Sequence, residues 1–160
     1  MPRRKARIVG FKAPGRLPTD DIALLELEEA APSEVGQTVL AEIRGVALDG
    51  DQLGVFGPPA GSRLVVHFDA RFGGKVNPSW TQIDPVSPGG DFVTHGFSGG
   101  RVWSFNHDSA IGMIVAMQTS EAQRRAFMIP AAAIRRFFVG LPREGLIWTP
   151  PGDQVIWHFG

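Results

Sequence analysis

The chain has 160 residues, inside the usual range for one domain of roughly 100 to 200. Its acidic and basic residues cancel to a formal net charge of zero, which argues against the broad basic footprint of a nucleic-acid or membrane-surface binder and points to a polypeptide or small-molecule partner. With no cysteine there is neither a disulfide framework nor a thiolate zinc site, and no metal or cofactor is implied.

The amino terminus, MPRRKARIVGF, starts basic but lacks the apolar run of a signal peptide, and no stretch approaches the roughly 18 apolar residues of a membrane span. The expected setting is cytoplasmic. ARIVGFKA (6–13) reads as a strand and PGRLPTD as a break. DIALLELEE (21–29) follows as a second strand, although its Ala, Leu and Glu content also suits a short helix. Then come TVLAEIRGVAL, QLGVFGPP, SRLVVHFDARF, SWTQIDPV, DFVTHGF, GRVWSF, AIGMIVAMQ and AFMIP, each bounded by Gly, Pro, Asp or Asn. Short runs at this spacing predict an all-β barrel or sandwich. AAAIRRFFVG (131–140) reads as a helix after Pro130, with Ala132, Ile134 or Arg135, and Phe138 on one stripe and Gly140 as its stop. The tail GLIWTPPGDQVIWHFG reads as a hairpin about PPGD.

The stretch HGFSGGRVWSF (95–105) carries the chemistry. Gly96-Phe97-Ser98-Gly99-Gly100 formally fits the G-x-S-x-G elbow of α/β-hydrolases, and Ser98, Asp153 and His158 stand in the right order for one. The residues after it, however, predict strand, turn and strand rather than the helix an elbow enters. The stretch also fits the G-x-S-G-G loop of chymotrypsin-like serine proteases, which it resembles closely. DDIALLELEE resembles that family's D-I-A-L-L segment, GVFGPPAG its V-x-G-x-P-x-G segment, and AFMIPAAAIRRFF the closing strand and helix of bacterial trypsin-like members. The resemblance runs from about Arg7 to Phe138.

It implies a chymotrypsin-like second barrel with a partial first barrel, a C-terminal helix and a terminal hairpin. Residues 1–32 would be the first-barrel remnant, 33–140 the second barrel and 141–160 an extension. It further implies Ser98 as nucleophile and Asp21, with Asp20 its solvated neighbour, as the buried carboxylate that orients an imidazole. The amides of Gly96 and Ser98 would form the oxyanion hole. His95 would sit on the pocket rim, Val115 and Met117 would offer backbone to an extended peptide, and Phe92, Ala116 and Phe127 would line the primary pocket, with Asp91 beside it. Phe97 replaces the acidic residue that zymogen-activated members use.

The family places its histidine before the aspartate, yet His67, His95, His107 and His158 all follow Asp21. Only about twenty residues precede Asp21, too few for most of a six-stranded barrel at typical strand lengths. His67 reads as a strand residue, and His107 and His158 as surface residues. Lys5 and Lys12 lie in the wrong segment for a Ser-Lys pair, and Arg101 stands where the family has proline. The expectation is a serine endopeptidase domain inactive alone, its imidazole supplied by another segment or chain. The alternative is a protease-fold module that binds polypeptide without cutting it. An unpaired barrel edge predicts a dimer or larger complex.

Overall fold

The computed structural model describes residues 5–12, 21–30, 38, 40–43, 48–62, 64–77, 80–87, 92–120 and 123–139. The terminal hairpin expected over 141–160, together with Asp20, Asp91 and His158, lies outside them. Six strands, β3 (Leu53–Gly57), β4 (Val66–Asn77), β5 (Trp80–Pro85), β6 (Arg101–Ser104), β7 (Ser109–Ser120) and β8 (Gln123–Pro130), close into a barrel in the order β3-β4-β5-β8-β7-β6. Every neighbouring pair in it is antiparallel.

Alternation explains the closure. Thr81 and Ile83 of β5, Val102 and Ser104 of β6, and Ala126 and Met128 of β8 turn inward while their neighbours do not. Of these, Ile83, Val102, Ala126 and Met128 meet Leu53, Val55, Ala70, Ile111 and Ile114 in one core. Each large side chain buried there stabilises the fold by roughly 1.5–3 kcal/mol relative to an exposed one. β6 has four residues, and it persists because β3 and β7 take both of its edges.

The DIALLELEE segment is a strand, β2 (Ile22–Leu27), paired with β1 (Ala6–Lys12) in a two-stranded ribbon bulged between Ile8 and Gly10. The ribbon docks through Ile22, which is buried with Leu40, Ile129 and Ile134. The helix α1 (Ala131–Val139) follows Pro130, carries Arg136 in its last turn and packs Ala131, Ala133 and Ile134 into the same cluster. Its buried stripe is therefore displaced by about one residue from the one expected, with Ala133 in place of Ala132.

Among the described residues, two expected strands do not form. DFVTHGF is not a strand, because Phe92 and Val93 are both buried, and adjacent inward side chains break the alternation a strand imposes. The described residues of TVLAEIRGVAL, 38, 40–43 and 48, carry a parallel bridge from Leu40 to Ala110, with the Ala41 amide donating to the Ala110 carbonyl at 2.9 Å. β8 reaches only Gly112 opposite Pro130, which has no N–H, so Leu40 takes the edge of β7 that β8 leaves vacant. Arg135 holds Glu42 at 3.4 Å and ties this strap to α1. Among the described residues no helix is long and apolar enough to cross a membrane.

Candidate active site

Ser98 sits on the loop between β5 and β6, exposed at the barrel mouth. The loop is pinned from below by Phe97, which is 1% exposed, lies 5.5 Å from the Phe68 ring and packs over Gly57. Apolar burial thus holds the residue before the serine, where a carboxylate would need a cationic partner. From the side, the Gly99 amide donates to the Ile114 carbonyl and the Ile114 amide to the Gly100 carbonyl, both at 2.8 Å. Within the loop, the Gly100 amide closes on the Phe97 carbonyl at 2.8 Å.

Gly96 is required on two counts. Its φ of +102° is one that L side chains rarely adopt, and a Cβ there would lie 2.5 Å from the Ala60 nitrogen and 2.6 Å from the Pro58 carbonyl oxygen. The Pro58–Ala60 turn is therefore a buttress, fastened by the Ala60 amide donating to the His95 carbonyl at 2.6 Å. Among the described residues the amides of Gly96 and Ser98 donate to nothing, and Ser98 Oγ has no hydrogen-bond partner.

Asp21 opens β2 exposed and in the left-handed region, with φ +80°. No hydrogen bond or ion pair links it to Ser98, and it is not the buried carboxylate that the resemblance implies. A shallow open depression lies between the serine loop and the body against which the ribbon docks, with neither Ser98 nor Asp21 in its lining. It is lined by Gly99 and Arg101 on the serine side, by Ala110, Gly112 and Met113 of β7, and by Thr38, Leu40 and Ile134. Ile22 packs on Leu40 and Ile134, so the chain next to Asp21 lies against the wall of the hollow that Gly99 borders.

None of the described histidines meets Ser98. His95 is exposed on the loop itself. His67 lies on the outer face of β4, with Nε2 3.1 Å from Asp69 Oδ1 and its ring stacked 5.0 Å from Phe56. His107 is more engaged than a surface turn residue: Nε2 is 3.5 Å from Oδ2 of the buried Asp51. Asp51 also accepts from Ser104 Oγ at 2.8 Å and from Asn106 Nδ2 at 2.7 Å. This Ser, Asp, His group is structural, because Ser104 is fully buried and gives its proton to the carboxylate instead of the imidazole.

Phe92 is 2% exposed and packs 6.3 Å from Phe68, in the core below the loop. Phe127 stacks on Trp80 at 5.8 Å, half-buried, and Val115, Ala116 and Met117 are half-buried along β7. Arg101 lies over the Phe56 and Trp103 rings at 4.6 and 5.1 Å, contacts that favour a cation at this position. β6 pairs with β7 only as far as Met113, so from Val115 onward one edge of β7 is unpaired among the described residues.

Two crystal structures of Rv3671c from Mycobacterium tuberculosis, one of them from strain H37Rv, are similar to this chain in fold. The Rv3671c protease in its active form superposes with a TM-score of 0.55 at 17% identity, over 95% of this chain and 63% of that one. A serine-to-alanine mutant in an inactive form gives 0.53 at 16% identity, over 92% and 68%. The likeness is one of fold. No protein-family model matches the chain, and no curated protein does.

Proposed function

We propose that this chain is a serine endopeptidase domain of the trypsin-like type, whose turnover depends on an imidazole delivered from outside these 160 residues. The observation that carries the reading is the serine loop: an exposed Ser98 with two amides, Gly96 and Ser98, unengaged among the described residues, on a loop clamped from below and from the side. Donors held in place before reaction stabilise the oxyanion of a tetrahedral intermediate without reorganisation. A peptide would add as a strand along the edge of β7 that is unpaired among the described residues, at Val115 and Met117, with His95 on the rim and the primary pocket near Ala116 and Phe127, while Phe92 supports the loop from the core. Ser98 Oγ would attack the scissile carbonyl, its proton passing to the delivered imidazole, which Asp21 would orient. Without that base, binding and the oxyanion hole leave a residual acceleration of about 10³–10⁴-fold over water.

The test is labelling of the chain by a fluorophosphonate probe, mapped by mass spectrometry, alone and with a first-barrel fragment bearing a histidine. Labelling at Ser98 that rises on adding the fragment is expected. A second reading, a cleft that binds polypeptide without cutting it, draws on the lack of any described base against Ser98 Oγ. Peptide binding that survives Ser98→Ala, in a chain never labelled under either condition, would select it.

A further inference from the structure

The amides of the serine loop divide in a way that shows what aims the free ones. Between Gly96 and Gly100, Phe97 donates to the Thr94 carbonyl at 3.3 Å, Gly99 to the Ile114 carbonyl and Gly100 to the Phe97 carbonyl, the last two at 2.8 Å. Gly96 and Ser98 remain unengaged among the described residues. A planar trans peptide carries its C=O and N–H on opposite sides, so whatever holds a carbonyl also aims the amide that follows it. The Ser98 N–H shares a peptide with the Phe97 carbonyl, which Gly100 holds from within the loop. The Gly96 N–H shares one with the His95 carbonyl, which the Ala60 amide holds at 2.6 Å from a separate segment. Thr94 Oγ1 also approaches that carbonyl, but at 3.5 Å it is too distant to hold it firmly.

We propose that the Ala60 N–H is a positioning group for the oxyanion hole: it fixes the His95–Gly96 peptide with the Gly96 N–H turned away from the Pro58–Ala60 turn and free to donate. The inference rests on the reading of Ser98 as a nucleophile and adds the element outside the loop on which its hole depends. Glycine populates either sign of φ readily, so Gly96 does not itself choose between the two orientations of this peptide. Half a turn of the peptide would withdraw the donor, aim a carbonyl in its place and leave the Ala60 N–H facing another N–H. The choice is therefore made by Ala60, and the segment that carries it is stiff. The Ser62 amide donates to the Pro59 carbonyl at 2.9 Å and Gly61 has φ +78°, as in a type II turn with Ala60 at its second position. Pro58 and Pro59 fix two φ angles directly before it.

Proline is favoured at the second position of a type II turn, so Ala60→Pro suits the turn while its ring replaces the donor against the His95 carbonyl. Ala60→Gly keeps the N–H. In the isotopically labelled 160-residue chain, NMR should detect a coupling across the hydrogen bond between the Ala60 nitrogen and the His95 carbonyl carbon. In Ala60→Pro the Gly96 amide resonance should move while those of the barrel strands stay, and in Ala60→Gly it should return. Fluorophosphonate labelling of Ser98, with the histidine-bearing fragment present, should fall at least about tenfold in Ala60→Pro and recover in Ala60→Gly; complete loss of one oxyanion donor costs about 10²–10³-fold. A missing coupling in the parent chain, an unmoved Gly96 resonance in Ala60→Pro, or labelling that persists despite a moved one, each overturns the proposal. A parent chain that is never labelled, yet shows the coupling and a Gly96 resonance moved by proline alone, upholds the Ala60 latch and removes the endopeptidase reading instead.

Discussion

The barrel and the ribbon are both antiparallel β-structure, yet they stand differently toward the chemistry each carries. In the barrel six strands close on a core, and Phe97 and the Ile114 clamp set the serine loop from below and from the side. The ribbon has two strands, one anchor at Ile22 and an exposed Asp21 at its start. A group that must only present fixed dipoles can therefore be complete on the barrel. The proposed role of Asp21 in orienting an imidazole would, by contrast, need a further element laid across the exposed start of the ribbon.

This contrast can be broken most forcefully at Phe97. Phe97→Ala should cost about 3–5 kcal/mol in urea denaturation, because it empties the barrel mouth, and fluorophosphonate labelling should fall with it. A smaller loss would mean the loop is held by its backbone bonds alone. Ile22→Ala should cost about 2–4 kcal/mol, but locally. Amide exchange should accelerate in β1 and β2 while the barrel strands keep their protection; uniform acceleration would show the two regions to be one cooperative unit. Asp51→Ala leaves Ser104 Oγ and Asn106 Nδ2 without their acceptor, and about 1–3 kcal/mol of barrel stability should go, measurable by thermal unfolding. Arg7→Ala, which removes the exposed pair with Glu26, should change stability by no more than ~0.5 kcal/mol in the same assay.

What was legible in the sequence was what local pattern encodes. The barrel strands announce themselves as short apolar runs between turn residues, and the helix by Pro130 and its periodicity. The serine loop shows in its glycines, whose role at Gly96 follows from a positive φ. Features built from distant contacts left no such trace. Phe92 and Val93 look like strand residues until the barrel mouth that swallows both is known. Leu40 pairs where it does because Pro130, far along the chain, ends β8 early. Pro58 and Pro59 read as a turn, and only the fold turns them into the wall behind Gly96. His107 reads as a turn residue because its carboxylate partner, Asp51, belongs to a remote segment.

The free edge of β7 has a further consequence. From Val115 to Ser120 it runs about 20 Å at ~3.3 Å per residue, a fixed ruler laid beside Ser98. On the proposed function, a polypeptide paired along this edge would be read by length and extended shape before side-chain identity, which favours an unstructured stretch over a folded loop or a helix.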